Sequence, residues 1–169
     1  TILRYNTITG QALTSIPAPD PSLGSAGSWP WNTVHAIAFH PNMGPKGSLV
    51  FANNVRSRVL RWDKDTEVWS VLVSETTGVT TGVYAYCHYN QTSDMIVAGN
   101  GLGGEPSQII DSSGTDTVTA NNPQSIMEGV APTNNRSLFL PAPNSTKSLL
   151  FCPVDSKIYA LENTTGVWD

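Results

Sequence analysis

Two tryptophans and a group of amide and charged residues are the side chains of this sequence best suited to binding a ligand. All six lie in segments that connect predicted strands: Trp29, Trp31, Asn53, Asn54, Arg56 and Glu105. Indole rings stack on sugars or pack against protein partners, and amide and guanidinium groups hydrogen-bond hydroxyls. As a cluster these residues predict a recognition surface. For any one of them, a structural role as a core cap or turn residue is favoured.

The three histidines do not predict a metal site. His35 and His40 are five positions apart, so on an extended strand their side chains point to opposite faces. His40 and His88 occupy equivalent positions of an internal repeat, which favours a structural role in turns. The sequence also has no Gly-x-Ser-x-Gly elbow and no His-Glu-x-x-His pair. It therefore predicts no catalytic residue, no metal ligand and no cofactor.

Other clusters of residues that could bind ions or react have simpler structural explanations. The acidic run at 63–67 lacks the glycine and the oxygen count of a calcium loop. The glycine-rich stretch at 99–104 joins two predicted strands, so it has no helix N-terminus to hold a phosphate. The cluster Tyr86-Cys87-His88 invites redox chemistry, but a packed strand explains it better. Cys87 and Cys152 both lie in apolar strands, where free buried thiols are favoured over a disulfide.

Charge and hydropathy argue against two classes of function, nucleic-acid binding and membrane insertion. Charged residues make up only 13% of the chain and the net charge is −4, without a basic run. Nucleic-acid binding needs a concentrated Lys and Arg footprint, so it is disfavoured. The apolar stretches are too short to span a bilayer. A surface rich in Ser, Thr and Asn is typical of short strands and polar turns, and it indicates an extracellular protein or a virion component.

An internal repeat organises the chain. Three segments superpose when Ser48, Asp94 and Ser148 are aligned, which gives periods of 46 and 54 residues. Such periods are typical of four-stranded propeller blades. In each copy a first strand leads through a polar turn to an apolar second strand, whose composition indicates burial on both faces. No stretch shows sustained helical periodicity.

The third strand of each unit ends at a predicted tight turn. The turn begins at Asn6, Asp63 and Asn163, whose side chains are expected to bond forward to backbone amides. The sequence thus predicts an all-β single domain over 1–169, built from antiparallel β-propeller blades. Half a blade covers 2–16, and full blades cover about 33–73, 84–120 and 136–169. The six candidate ligand-binding residues then lie in connections that share one face of the stack.

Two stretches resemble known blade motifs. Residues 159–168 look like the blade ends of kelch-type and quinoprotein-type propellers. Residues 87–111 are similar to a kelch repeat of the galactose-oxidase-like family, although Gly-Asn-Gly at 99–101 stands where a kelch repeat has its Gly-Gly pair. The resemblance implies a β-propeller and, because many unrelated functions share blade motifs, little about activity.

Three and a half blades do not make a ring, since propellers close with four to eight blades. The favoured explanation is a window of a longer polypeptide, consistent with a sequence that opens on Thr1. Assembly of several copies into one ring and a different antiparallel sandwich are the alternatives. The expected partners are therefore the remaining blades of the same ring or another protein, with a glycan as a further option. Nucleic acid and membrane insertion are not expected.

These observations predict a non-catalytic scaffold or recognition module of an extracellular or virion assembly, such as a phage tail, that binds protein or glycan. The competing hypothesis is a fragment of a propeller enzyme, either a copper radical oxidase or a calcium-dependent lactonase. In that case the ligands of the metal would lie on other blades, and metal analysis of the native protein discriminates between the two hypotheses.

Overall fold

A computed structural model describes residues 2–20, 23, 34–53, 58–73, 85–100, 106–121, 138–152 and 156–169. This part of the chain forms strands and no α-helix, so the predicted all-β class is confirmed. None of its segments is a helix long and apolar enough to cross a membrane. The strands are β1 (Ile2–Tyr5), β2 (Ala12–Ile16), β3 (Val34–His40), β4 (Ser48–Asn53), β5 (Arg58–Asp63), β6 (Trp69–Val73), β7 (Ala85–Asn90), β8 (Met95–Asn100), β9 (Pro106–Ile110), β10 (Asp116–Asn121), β11 (Leu138–Pro141), β12 (Lys147–Cys152), β13 (Lys157–Glu162) and β14 (Val167–Trp168).

The strands form one two-stranded sheet and three four-stranded sheets, all antiparallel. Strands β1 and β2 make the N-terminal sheet, β3 to β6 the first sheet, β7 to β10 the second and β11 to β14 the third. Within each sheet the strands lie in chain order, because each is joined to the next by a short connection that favours antiparallel neighbours. The predicted four-stranded antiparallel unit is therefore present three times.

The second strands of the first and second sheets are buried on both faces, as their apolar composition predicts, whereas Phe151 in β12 of the third sheet is 38% exposed because no further sheet among the described strands covers its outer face. In β4, Val50 is fully buried and its neighbour Phe51, which points to the opposite face, is 2% exposed. In β8, Ile96 and Val97 are both fully buried. Successive side chains on a strand face opposite sides, so a continuous apolar run requires a covering layer on each side.

The sheets stack face to face through three apolar cores. The N-terminal sheet places Ile16 against Phe51 and Leu60 of the first sheet. The first and second sheets share the largest core, which includes Val50, Val59 and Ile96. The second and third sheets meet through Val97, Ile109, Leu150 and Leu161. The first strands of neighbouring sheets lie side by side, β3 next to β7 and β7 next to β11.

One acceptor side chain anchors each turn from third to fourth strand, and one anchors the turn between β1 and β2 in the same way. The acceptor oxygen receives the backbone N–H of the residue two positions later, and a residue with positive φ often closes the turn, such as Gly10 at 69° and Gly166 at 72°. The acceptors and their donors are Asn6 with Ile8 (2.8 Å), Asp63 with Asp65 (2.8 Å), Asp111 with Ser113 (3.0 Å) and Glu162 with Thr164 (3.2 Å).

One turn uses a different residue from the one predicted. The repeat predicts the third-sheet anchor at Asn163, but Glu162 accepts the bond and Gly166 follows it by four positions, as Gly10 follows Asn6. Asn163 is instead fully buried, and its Nδ2 donates to Ser93 Oγ of the second sheet at 3.3 Å. The longer Glu side chain reaches the turn amide, which leaves the next residue to join two sheets.

Candidate functional site

The predicted ligand-binding residues fall almost entirely outside the described part of the chain. The described residues do not include five of the six, so the juxtaposition of these five stays a prediction: Trp29, Trp31, Asn54, Arg56 and Glu105. Asn53 is the last residue of β4, where its backbone lies opposite Val34 and Arg58 in the register of the first sheet. The antiparallel topology places this end of β4 at the opposite end of the sheets from the 41–47 turn.

The described turns lie at that other end and enclose two adjoining hollows. The first hollow, about 560 Å³, lies between the first and second sheets and is lined by Pro41, Asn42, Tyr89, Gln91 and Asp94. The second, about 660 Å³, lies between the second and third sheets. Tyr89 and Gln91 line both hollows, so the two lie side by side across three sheets, and together they are called the groove at Tyr89 below.

A hydrogen-bonded cluster fixes the shape of the first hollow. Asp94 Oδ1 accepts from the Tyr89 hydroxyl at 2.7 Å and from Asn42 Nδ2 at 2.9 Å, which ties the two sheets together. The Tyr89 ring also packs on the His40 ring with centroids 4.8 Å apart. Desolvation and the adjacent Asp94 carboxylate raise the pKa of Tyr89 to about 12. The phenol is therefore a neutral hydrogen-bonding group at physiological pH.

A buried amide fixes the second hollow. Asn90 is 1% exposed, and its Nδ2 donates to the carbonyl oxygens of Ser145 (3.0 Å) and Lys147 (2.8 Å) in the third sheet. Its Oδ1 accepts the backbone N–H of Thr92 at 2.9 Å, which shapes the turn that separates the hollows. With its amide fully engaged, Asn90 holds the groove in place while the exposed Gln91 offers its amide to solvent.

His40 and His88 are structural, but not as equivalent turn residues. His40 ends β3, and the residue that ends β7 is Asn90, whereas His88 lies two positions inside that strand. His88 is buried, with Nε2 2.8 Å from Ser148 Oγ of the third sheet. Burial lowers the pKa of His88 to about 4, so its imidazole is neutral at pH 7. The proposed equivalence of His40 and His88 is therefore wrong.

Cys87 is a packing residue rather than a reactive thiol. It is a free cysteine that packs against the core between the first and second sheets. Its Sγ donates to the Val50 carbonyl oxygen at 3.6 Å, and burial raises its pKa to about 12. A thiol with so little thiolate is a poor nucleophile, in agreement with the structural reading of this strand.

The acidic run at 63–67 uses its carboxylates internally. Asp63 Oδ1 accepts backbone N–H groups of the turn and Oδ2 pairs with Arg61. The hydrogen bond from Thr66 is the main cause that lowers the pKa of Asp63. Asp65 pairs with Lys46 at 2.8 Å. Within the described ranges, no group of three His, Cys, Asp or Glu side chains is arranged to hold a metal ion.

Sequence reasoning overlooked the groove at Tyr89. Its residues lie in or beside the turns that follow β3, β7 and β11, whose polar composition predicts only connections between strands, as in Asn-Gln-Thr-Ser at 90–93. The aromatic residue directly before this turn was the available signal. The interactions that assemble the groove join positions about fifty residues apart, and they become visible only once neighbouring sheets are stacked.

Comparison with known proteins adds no relative from which a role could be carried over. No protein-family model matches the chain, and no curated protein matches it in sequence.

Proposed function

We propose that the chain is a β-propeller segment that acts as a non-catalytic scaffold and recognition module in an extracellular or virion assembly, where it binds protein or glycan. The observation that carries the proposal is the repeated stacking of four-stranded sheets through equivalent faces. The kelch-like character of the blades belongs to the same proposal and rests on the sequence resemblance.

The stacking supports a propeller because each interface repeats the one before it. In β5, Leu60 and Trp62 pack toward the N-terminal sheet while Val59 packs toward the second sheet. In β13, Leu161 corresponds to Trp62 of β5. It likewise packs toward the preceding sheet, which is here the second sheet. Together with adjacent first strands, this arrangement is expected when blades fan out around a common centre.

A scaffold role is supported by the two ends of the stack, which are apolar and exposed. The outer face of the third sheet exposes Phe151, Ile158 and Val167, of which Ile158 is 59% exposed. The outer face of the N-terminal sheet exposes Leu3 and Tyr5. Apolar sheet faces of this kind usually mark contact surfaces. We propose that further sheets, from the same ring or a partner protein, cover them.

A recognition role is supported by polar and aromatic groups. The groove at Tyr89 offers a phenol, amides and a carboxylate, and the sequence adds the indole rings of Trp29 and Trp31, which lie outside the described residues. Rings that stack and amides that bond hydroxyls suit a neutral, hydroxyl-rich ligand or a polar protein surface.

Glycan-array and pull-down binding test the proposal and locate the site. We expect the double variant Trp29→Ala and Trp31→Ala to lose binding by at least about tenfold. Ile8→Ala, an apolar truncation at a turn position 93% exposed, is the matched control and should bind like the unmodified protein. Loss in Gln91→Ala instead would move the site to the groove. Absence of any bound glycan or protein would contradict the recognition role.

A further inference from the structure

The carboxylate of Asp94, in the groove at Tyr89, lacks a basic partner among the described residues. No Lys or Arg in the described ranges pairs with it, although its side chain is 41% exposed. Four other acidic side chains each contact a lysine or an arginine: Asp63 with Arg61, Asp65 with Lys46, Glu67 with Arg4 and Asp169 with Lys147. The charge of Asp94 thus stands apart from these internal ion pairs.

The imidazole of His40 does not compensate this charge. Its Nε2 lies 3.9 Å from Asp94 Oδ1, but it donates to the backbone carbonyl oxygen of Asp94 at 3.0 Å. Its Nδ1 accepts the backbone N–H of Asn42 at 3.2 Å, so this nitrogen carries no proton and the ring is neutral. The carboxylate therefore lines the first hollow without a compensating charge.

The hydrogen-bonding atoms that remain free in the first hollow are mainly acceptors. Two donors near Asp94 are already engaged, because the Tyr89 hydroxyl and Asn42 Nδ2 both bond its Oδ1. Asp94 Oδ2, the side-chain oxygen of Asn42 and the exposed amide of Gln91 have no partner in the described part of the chain. Acceptors around a carboxylate suit a ligand that donates several hydrogen bonds and carries positive charge, such as an ammonium or guanidinium group.

The turn conformation itself does not require the Asp94 carboxylate. Asp94 has φ of 56°, in the left-handed region that favours glycine. The residue at the same place in the first sheet, directly before the second strand, is Gly47 with φ of 76°. Oδ1 of Asp94 contributes to the structure through Tyr89 and Asn42, and Oδ2 remains available to a ligand.

The second hollow adds an apolar wall beside these acceptors. Pro141, Ala142 and Pro143 line it together with Tyr89 and Gln91, which it shares with the first hollow. Lys and Arg carry their charge at the end of an apolar stem, which can pack on such a wall while the charged group bonds elsewhere. The net charge of −4 also favours the approach of a cationic partner. A ligand that fills both hollows is longer than a small free amine, which favours a side chain on a peptide.

We propose that the groove at Tyr89 binds a lysine or arginine side chain of a protein partner. The cationic group bonds Asp94 in the first hollow, and an apolar residue next to it packs in the second hollow. This inference rests on the protein-binding role proposed above and deepens it, since it makes a basic, exposed segment of a protein, rather than a glycan, the ligand of this groove.

Titration of the complete 169-residue protein with a short blocked peptide tests the site. The probe is acetyl-Ser-Leu-Arg-Leu-Ser-amide, and the matched peptide carries citrulline, which has the shape of arginine without its charge. We expect the arginine peptide to shift the NMR signals of the side-chain amides of Asn42 and Gln91 saturably. The citrulline peptide should bind at least about tenfold more weakly. Free n-butylguanidine should also bind at least about tenfold more weakly, because it cannot fill the second hollow.

Two substitutions remove the carboxylate in different ways. Asp94→Asn keeps an acceptor for the Tyr89 hydroxyl and removes the charge, whereas Asp94→Gly places at this turn the residue that the first sheet has there. Both should weaken binding of the arginine peptide by about tenfold or more, and the backbone amide spectrum shows that each variant is folded. Glu67→Gln is the matched control, because it removes one negative charge from a side chain 62% exposed between β5 and β6 and should leave binding unchanged.

Several results would overturn the proposal. Equal affinity for the arginine and citrulline peptides, or undiminished binding by both Asp94 variants, would show that the carboxylate does not hold the ligand. An equal loss in Glu67→Gln would mean a response to net charge alone. Equal affinity for n-butylguanidine would assign the groove to small cations, and saturation of the same signals by Ca²⁺ would make it a metal site. Failure of the recognition role proposed above remains distinguishable, because binding through Trp29 and Trp31 is measured without the peptide.

Discussion

His40 Nε2 donates a 3.0 Å hydrogen bond to the backbone carbonyl oxygen of Asp94, across the interface between the first and second sheets. Its side chain is fully buried. At the next interface Asn90 makes the equivalent contact, since its amide donates to the carbonyl oxygens of Ser145 and Lys147. The last residue of a first strand thus joins its sheet to the turn of the following sheet, with chemistry that differs between the two interfaces.

Truncation of His40 should weaken the first of these joints. We expect His40→Ala to lower the free energy of unfolding by about 2–4 kcal/mol, because it leaves a cavity beside Tyr89 and removes the hydrogen bond to the Asp94 carbonyl oxygen. His40→Asn retains a donor of the kind used by Asn90 and should recover part of that loss. Urea denaturation followed by tryptophan fluorescence measures both. An Asn variant no more stable than the Ala variant would show that packing alone matters.

Burial of His88 should make stability depend on pH. Its pKa is lowered from 6.5 to about 4 in the folded protein, so below pH 6.5 the unfolded chain binds more protons than the folded one. The stabilisation is complete above pH 6.5 and is lost as the pH falls toward 4, by roughly 3 kcal/mol in total.

Denaturant midpoints between pH 7 and pH 4 check this prediction. His88→Gln removes the titration and keeps a polar side chain beside Ser148, so its stability should fall less across this interval. Asp63 and Asp111, whose pKa values are lowered by turn hydrogen bonds, act mainly at lower pH and are common to both proteins. Parallel curves for the two proteins would contradict the assignment.

Two glycines with similar backbone angles should differ in their tolerance of alanine. Gly10 has φ of 69° and open space around an added Cβ, so Gly10→Ala should cost only backbone strain, about 1 kcal/mol. Gly47 has φ of 76°, and a Cβ there would lie 2.5 Å from Phe39 Cζ and 2.8 Å from the His40 carbonyl oxygen. Gly47→Ala should therefore cost about 3 kcal/mol or more. Equal melting temperatures for the two variants would refute the steric argument.

Cys87 should resist thiol reagents until the sheets separate. Burial raises its pKa to about 12, so in a Cys152→Ser background its reaction with a disulfide reagent at pH 8 should be about a hundredfold slower than in denaturing urea. Absorbance of the released thiol follows the reaction. Rapid modification under native conditions would show that the first and second sheets part readily at this interface.

Much of the architecture could be predicted from local sequence. Alternating or continuous apolar runs predicted the strands, and Asn6 and Asp63 predicted the turns that they anchor. These features depend on residues close together in sequence, where backbone geometry and side-chain reach leave few options. The one-residue error at Asn163 arose because Glu162 can reach the same amide, and the sequence offers both acceptors side by side.

The sequence by itself determined an all-β chain of repeated antiparallel four-stranded sheets, since period-two burial and turn residues are local properties. Only the tertiary structure decided how those sheets share their cores. It assigned Asn90 rather than His88 as the counterpart of His40, brought Tyr89 to Asn42 and Asp94, and left Ile37 and Phe39 uncovered. The contacts of His40 and Asn90 and the hydrogen bond from Asn42 to Asp94 join sheets at positions more than fifty residues apart, which no local pattern encodes.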